Sequence, residues 1–275
     1  MRIRIGQFEF TECWDGVLYK KLSNYPEITD WEIQNILDFI AYEERHGRLC
    51  ELEGEEEILA KIREAASSER ERLVPPPVIR ECTACPTYGG CLTDFVCHTA
   101  PVENAKQILA CGALRSAVRA RNESAETLAG EPRNAARDPA DYFDYVMFAW
   151  GNCQAGDRLV MERKLGRFPN ERDLSAGFTP GVRFFFRYDD LIRHPAAVFD
   201  GVLPVKVKDE VVLKDWVHAI VVPAAEREAI RPCVPGELVA RVFYLENDCA
   251  DVWAWSEKVY EFVKTIGGRG CEKSS

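Results

Sequence analysis

The chain has 275 residues, 47% of them hydrophobic, and a formal net charge of −10 at pH 7. This is enough for a sizeable core, and the acidic balance excludes a protein that grips nucleic acid over its whole surface. No run of about 18 uncharged apolar residues occurs, and Glu9, Glu12 and Asp15 interrupt the start where a secretory signal would be apolar. We therefore expect a cytoplasmic protein without a membrane partner.

The first segment predicts a β-hairpin. The stretch "RIRIGQFEF" alternates apolar and polar residues, and "VLYKKL" follows after the turn signal Asp15-Gly16. Apolar residues then change to helical spacing, which ends the predicted hairpin.

Two helices are predicted next. Thr29 and Glu32 have the spacing of a capping box at the start of the first, and Gly47 marks its end. The second helix is expected roughly from Glu55 to Leu73, where a proline triplet stops it. Residues 1–74 are therefore interpreted as an acidic, mainly helical extension, and residues 78–275 as the main domain.

In the main domain strands outnumber helices. In chain order we expect a strand at "TDFVCH", a helix over 101–111, strands at "YVMFAW" and "VRFFFRY" and a short helix at "DLIRHP". Further apolar runs are "GVLPVKV", "EVVLKDWVHAIVVP" and "ELVARVFYL", and "WAWSEKVYEFVKTI" closes the chain as a helix. Strands and helices do not alternate regularly, which predicts an α+β fold.

Cysteines cluster in the stretch "CTACPTYGGC". Cys82, Cys85 and Cys91 could supply three ligands of a zinc site, but the spacing is uneven and a fourth ligand is not evident. Cys97 would face away from its neighbour His98 along a strand. A loop of reduced thiols is the favoured interpretation, and zinc remains the alternative.

Nucleophilic catalysis by a cysteine is another alternative, with His98, His194 or His218 as the base. With eleven cysteines and four histidines such a pair can always be proposed, so the pattern has little specificity. The sequence contains no Gly-rich phosphate loop, no HExxH and no GxSxG.

Four segments occur in an order that resembles a known family. They are "CHTAPVENAKQILACGALRS", "FDYVMFAW" at 143–150, "VRFFFRYDDL" at 182–191 and "DEVVLKDWVHAIVVP" at 209–223. Over roughly residues 95–225 the chain resembles the DarT-type (DUF4433-like) ADP-ribosyltransferases. The resemblance implies a split β-sheet core with NAD as substrate.

The resemblance also implies site residues. Glu210 falls at the position of the catalytic glutamate, whose charge the oxocarbenium-like ribose requires. His98 would hydrogen-bond the adenosine-side ribose, Thr99 would hold the nicotinamide end, and Tyr145 of the second-strand motif would also contact NAD. An exposed strand-end acid at Glu210 and a structural histidine at His98 are the alternatives.

The family's site also includes an arginine between the first helix and the second strand. The candidates here are Arg119, Arg121, Arg133 and Arg137. Spacing to the following strand favours Arg133 or Arg137, and we take Arg137 as the catalytic candidate. A solvated loop arginine is the alternative for each of them.

Two functions follow as hypotheses. The first is an NAD-dependent ADP-ribosyltransferase that modifies a nucleic-acid base in a toxin or defence setting, with single-stranded nucleic acid or a protein as its partner. The alternative is a non-catalytic binding protein of the same fold, with a metal-stapled loop and an acidic interaction surface formed by the N-terminal extension.

Overall fold

The computed structural model describes residues 1–8, 11–14, 16–68, 94–130 and 140–267. Contacts divide the chain into two units. The first unit comprises Met1–Pro77, Ser116–Met147 and Ile192–Asp209, and the second comprises Val78–Arg115, Phe148–Leu191 and Glu210–Ser275. The first unit thus includes the predicted extension together with two segments from later in the chain.

The strands, in chain order, are β1 (Arg2–Gly6), β2 (Glu12–Trp14), β3 (Val17–Lys21), β4 (Glu51–Glu53), β5 (Phe95–Ala100), β6 (Ala113–Arg115), β7 (Tyr145–Trp150), β8 (Val182–Arg187), β9 (Ala197–Val198), β10 (Val205–Lys208), β11 (Glu210–Val212), β12 (Val217–Pro223) and β13 (Val242–Leu245).

The α-helices are α1 (Asp30–Arg45), α2 (Glu56–Ala66), α3 (Val102–Cys111), α4 (Ala117–Arg121), α5 (Ala125–Ala129), α6 (Ala155–Leu165), α7 (Tyr188–Leu191), α8 (Leu213–Trp216), α9 (Arg227–Ile230) and α10 (Val252–Gly267). Short 3-10 helices span Ala140–Asp144, Ala224–Glu226, Arg231–Cys233 and Gly236–Arg241.

The N-terminal sheet of the first unit has the order β2-β3-β1-β4. The predicted hairpin of two strands was wrong in its pairing. The turn at Gly16 joins β2 to β3 as an antiparallel pair, whereas β1 pairs with β3 in parallel. Parallel pairing buries the alternate residues Ile3 and Ile5 of β1 against the helices' apolar faces. Alternation predicted the strands, but it does not specify which neighbours pair.

The helix predictions for the first unit are largely confirmed. Thr29 and Glu32 form the capping box at the start of α1, and Gly47, with φ of 73°, follows the end of the helix. α2 is shorter than predicted and ends at Ala66, with Ser67 as its C-cap residue. Both helices pack on the sheet through buried isoleucine, leucine and phenylalanine side chains.

The first unit has a second group of strands, ordered β7-β10-β9, to which β7 contributes its first residues. β10 and β9 are antiparallel. In the same unit, α4 and α5 contact each other and the 3-10 helix at Ala140–Asp144, which directly precedes β7. This group includes Lys206 and Tyr145, which are considered below.

In the second unit the larger sheet has the order β13-β12-β8-β5-β7, with the last residues of β7 at one edge. β5 pairs antiparallel with β8 and with β7, and β12 pairs antiparallel with β8 and parallel with β13. A separate two-stranded sheet contains β6 and β11. The phenylalanine run of β8 is buried completely, which explains why its sequence does not alternate.

The longest helix of the second unit, α10, covers the larger sheet with Trp255, Val259 and Val263, all fully buried. The predicted apolar run "EVVLKDWVHAIVVP" divides into β11, one helical turn and β12. Strands and helices are mixed without regular alternation, so the α+β class is confirmed for the described residues. Among the helices of these residues, none has the length and apolarity needed to cross a bilayer.

Candidate functional site

Glu210, the predicted catalytic residue, opens β11 in the two-stranded sheet. β11 and β6 are antiparallel, with Val211 opposite Leu114 and Glu210 opposite Arg115. Leu114 and Val211 are buried. Because strand side chains alternate between faces, burial of these two residues turns Glu210 and Arg115 toward the other face of the sheet.

Glu210 and Arg115 form a partly exposed ion pair. Arg115 Nε lies 3.6 Å from Glu210 Oε2, and the two side chains are 41% and 29% exposed. This separation is longer than that of a tight charge-assisted hydrogen bond. The carboxylate and the guanidinium are therefore neighbours, and solvent or a ligand can reach both.

Arg115 was not among the predicted arginines. Arg119 and Arg121 lie on α4 in the first unit and are exposed, and Arg133 and Arg137 lie outside the described residues. Arg115 is the second-to-last residue of the quoted motif "CHTAPVENAKQILACGALRS", but the motif gives no sign that its strand pairs with β11. Only the register of the two strands reveals the contact with Glu210.

The predicted NAD-binding residues His98 and Thr99 lie near the end of β5, and both are partly buried. They project from opposite faces of the strand. The His98 ring meets Phe148 edge to face with centroids 6.2 Å apart, whereas Thr99 Oγ1 lies 3.7 Å from Cys97 Sγ. The expectation that Cys97 and His98 face opposite sides is confirmed, and the same alternation separates Thr99 from His98.

Two glycines bring the backbone close to Thr99. A Cβ atom at Gly156, in the first turn of α6, would collide with the threonine side chain. A Cβ atom at Gly181 would lie 2.7 Å from Thr99 Cγ2 and 2.8 Å from the Ala100 carbonyl oxygen. Thr99 is therefore closely packed by α6 and by the segment that enters β8.

A buried ion pair supports this face of β5. Arg183, opposite Thr99 on β8, donates from Nε to Asp157 of α6 at 2.9 Å, and its Nη2 contacts Asp157 and Ser256. The second Asp157 oxygen accepts the Gly181 amide at 2.7 Å. Both charged side chains are completely buried. The network connects α6, β8 and α10 beneath the Thr99 side of the strand.

The cysteine–histidine alternative finds little support at Cys97. Burial raises the pKa of its thiol to about 12, so the nucleophilic thiolate scarcely forms near neutral pH. Burial also lowers the pKa of His194 and of His218. The His218 ring stacks on Phe95 with centroids 4.9 Å apart, a packing role within the second unit.

Tyr145, the third predicted NAD-binding residue, belongs to the first unit. It is part of a cage of three tyrosine rings around the ammonium of Lys206. Lys206 Nζ lies 3.6, 3.9 and 4.6 Å from the ring centroids of Tyr42, Tyr142 and Tyr145. The same nitrogen lies 3.2 Å from Asp200 Oδ2, and both charged side chains are completely buried.

Cys82, Cys85 and Cys91 lie outside the described residues. Within the described ranges, no group of three or more histidine, cysteine, aspartate or glutamate side chains is arranged to hold a metal ion. The zinc site therefore stays a prediction for the cysteine-rich loop alone.

Comparisons with protein-family models, with curated proteins and with solved structures find no match to this chain.

Proposed function

We propose that the second unit is an NAD-dependent ADP-ribosyltransferase and that Glu210 is its catalytic residue. The observation that carries the proposal is the partly exposed Glu210 carboxylate at the start of β11, with the Arg115 guanidinium beside it. The larger, mostly antiparallel sheet and the separate β6–β11 sheet are consistent with the split-sheet core that the sequence resemblance implies.

The reaction explains the need for a carboxylate. The bond between ribose C1′ and the nicotinamide nitrogen breaks, and its electron pair leaves with nicotinamide, which becomes neutral. Positive charge then develops on the ribose, and a carboxylate in the site stabilises this transition state more than the ground state. The acceptor forms the new bond at C1′ and releases its proton, for which Glu210 is the base within the site.

Arg115 has a different role in this proposal. NAD contains a diphosphate, and a guanidinium is well suited to phosphate oxygens. Its loose contact with Glu210 leaves donors available for the diphosphate.

His98 and Thr99 retain the roles that the resemblance implies, His98 at the adenosine-side ribose and Thr99 at the nicotinamide end. Because they project from opposite faces of β5, each would contact NAD from its own side of the strand end. The proposed acceptor is a base of single-stranded nucleic acid, in a toxin or defence setting.

Nicotinamide release from NAD tests the proposal. We would compare the intact chain with Glu210→Gln, which keeps the size of the side chain and removes its charge, in the presence of single-stranded DNA, RNA and protein in turn. Loss of the ionised carboxylate is expected to lower the rate by about 100-fold or more. Glu237→Gln is the matched control, because Glu237 is an exposed glutamate of the same unit.

An equal rate for Glu210→Gln and the intact chain would refute the assignment of Glu210. Arg115→Ala is expected to weaken NAD binding more than it slows turnover, by about tenfold in KM. If NAD survives every mixture while the protein is folded, the transferase proposal falls and the chain is to be studied as a binding protein.

A further inference from the structure

The residue that directly precedes Glu210 has an unusual backbone conformation. Asp209 has a φ of 64°, in the left-handed region that side-chain-bearing residues seldom adopt. Among the described residues, Asn122 is the other non-glycine residue with a positive φ. Asn122 is the C-cap of α4, where a left-handed residue is common, whereas Asp209 lies between strands β10 and β11. The conformation of Asp209 therefore needs an explanation other than the end of a helix.

Two backbone hydrogen bonds hold Asp209 in this conformation. Its amide donates to the Asp144 carbonyl oxygen at 2.9 Å, and its carbonyl oxygen accepts the Ser116 amide at 2.7 Å. Asp209 directly precedes Glu210 in the chain, just as Ser116 directly follows Arg115. The second hydrogen bond therefore joins the two residues that flank the charged pair.

The helix that begins at Ser116 explains why the Asp209 amide turns away. In a regular antiparallel ladder, two opposite residues that share one backbone hydrogen bond exchange a second one in the reverse direction. Ser116 is the N-cap of α4, and its carbonyl oxygen accepts the Ala120 amide at 2.8 Å. The Asp209 amide thus needs another acceptor, and with a positive φ it reaches the Asp144 carbonyl oxygen.

The place of the charged pair in the ladder makes it sensitive to this turn. Hydrogen-bonded and non-hydrogen-bonded pairs alternate along an antiparallel ladder. Because Ser116 and Asp209 share a hydrogen bond, Arg115 and Glu210 occupy a non-hydrogen-bonded position. Residues at such a position exchange no backbone hydrogen bonds, so the separation of their side chains depends on the flanking pairs.

We propose that Asp209 is a positioning residue for Glu210, an inference that rests on the ADP-ribosyltransferase function proposed above. Its left-handed backbone sets the direction in which β11 begins and so places the Glu210 carboxylate beside Arg115. The Asp209 side chain is exposed, and its carboxylate has no part in this role. Aspartate suits the position because its short polar side chain tolerates the left-handed region better than most side chains do.

Steady-state nicotinamide release from NAD by variants of the full chain tests the proposal, with single-stranded DNA, RNA and protein supplied in turn. Asp209→Val places a β-branched side chain in the left-handed region, so the turn should relax and displace Glu210. We expect kcat to fall at least about tenfold, because a displacement of about 1 Å can cost about 100-fold. The KM for NAD should change by less than about twofold, since the carboxylate acts mainly in the transition state.

Three further substitutions at Asp209 separate its backbone from its side chain. Asp209→Gly and Asp209→Asn keep access to the left-handed region and should retain kcat within about threefold. Asp209→Ala has a Cβ atom without the polar group, and its kcat should lie between those of the glycine and valine variants. If Asp209→Val does not fold, the order of the alanine and glycine variants decides, and equal kcat values for these two would refute the proposal.

The matched control is Asn122→Val, which puts the same side chain in the left-handed region at the end of α4. It should lower the urea concentration of half-unfolding, as Asp209→Val does, but change kcat by less than about twofold. Equal losses of kcat in these two variants would overturn the positioning role, because strain elsewhere would then slow the reaction as much.

Two other results would also overturn it. One is a kcat for Asp209→Val equal to that of the intact chain. The other is a loss in Asp209→Gly as great as in Asp209→Val, which would assign the effect to the carboxylate. If the intact chain releases no nicotinamide from NAD, the proposed function itself fails and this inference falls with it. Where the intact chain is active, the variants decide the role of Asp209 alone.

Discussion

Among the described residues, each unit of this protein buries one ion pair completely, and the two pairs are built on different principles. In the second unit, Arg183 is held by hydrogen bonds to Asp157 and Ser256. In the first unit, Lys206 lies beside Asp200 without a hydrogen bond in good geometry among the described residues, and aromatic rings surround it. Arg183 donates directional hydrogen bonds to a carboxylate and a hydroxyl group, whereas the charge of Lys206 is balanced by a carboxylate and by the faces of tyrosine rings.

The difference matters because the two cations respond differently to burial. A guanidinium remains charged in any protein environment, so Arg183 depends on its carboxylate. An ammonium can release its proton, and burial lowers the pKa of Lys206 from 10.5 to about 8, although Asp200 opposes this shift. The comparison teaches that Lys206 can lose its proton and become neutral inside the protein, whereas Arg183 cannot.

Removal of the carboxylate charge should have the largest effect at Arg183. Asp157→Asn leaves an uncompensated buried guanidinium and is expected to lower the free energy of unfolding by about 3–5 kcal/mol. Asp200→Asn leaves an amine that can become neutral, so its loss should be about 1–2 kcal/mol near neutral pH. Urea unfolding of the two variants measures the difference, and equal losses would refute the distinction.

The second largest effect should be the pH dependence of the free energy of unfolding. The pKa of Lys206 is about 8 in the folded protein and 10.5 in the unfolded chain. Between these two pH values the unfolded state binds more protons than the folded state does. The contribution of Lys206 to the free energy of unfolding therefore rises with pH over this range. From about pH 7.5 to about pH 10, the intact chain should gain about 2 kcal/mol relative to Lys206→Met. Burial raises the pKa of Cys50 to about 11, which has the opposite effect, but that contribution is common to both proteins and cancels.

Arg183→Met provides the comparison for that experiment. Its destabilisation should stay constant over the same pH range, because arginine does not titrate there. A difference between the intact chain and Lys206→Met that is equally flat would show that Lys206 keeps its proton throughout.

A smaller effect should separate the rings of the cage from their hydroxyl groups. The Tyr142 hydroxyl donates to Asp200 at 2.7 Å, so Tyr142→Phe deprives a buried carboxylate of a donor and should lose about 1–2 kcal/mol. Tyr145→Phe keeps the ring beside Lys206 and is expected to change stability by less than about 0.5 kcal/mol. Thermal unfolding of the two variants measures this difference. A larger loss of stability for Tyr145→Phe than for Tyr142→Phe would contradict the role given to the Tyr142 hydroxyl.

A small effect is also expected at an exposed ion pair. Arg167 is bidentate to Asp173 at 2.7 and 3.0 Å, but the arginine side chain is 52% exposed. Asp173→Asn should therefore destabilise the protein much less than Asp157→Asn does, and salt should reduce the loss further. A loss comparable with that of Asp157→Asn would mean that burial does not set the order of these effects.

Sequence reasoning succeeded where the signal is local. The capping box of Thr29 and Glu32 requires only two residues three apart, and the apolar runs at 145–150 and 182–187 became β7 and β8 as expected. The choice of strand partners is not local, so the parallel pairing of β1 with β3 was missed.

The site shows the same limit. Lys206 and Lys208 alternate onto the same face of β10, yet Lys206 is buried completely and Lys208 is exposed, because rings from distant parts of the chain cover the first of them. The apolar run "GVLPVKV" contains no local signal for this difference. Likewise, Glu210 could be selected from the sequence, but its neighbour Arg115 could not. Their contact depends on the register between two strands that are far apart in the chain.

The close approach of Thr99 to Gly156 couples two positions that lie far apart in the chain. Gly156→Ala alone should be destabilising because the added Cβ atom would collide with Thr99 Cβ and Oγ1. Thr99→Ser would not relieve this collision because serine retains both atoms, whereas Thr99→Gly removes them. In evolutionary terms the two positions should change together, so that a side chain at position 156 is tolerated only where position 99 has lost its own.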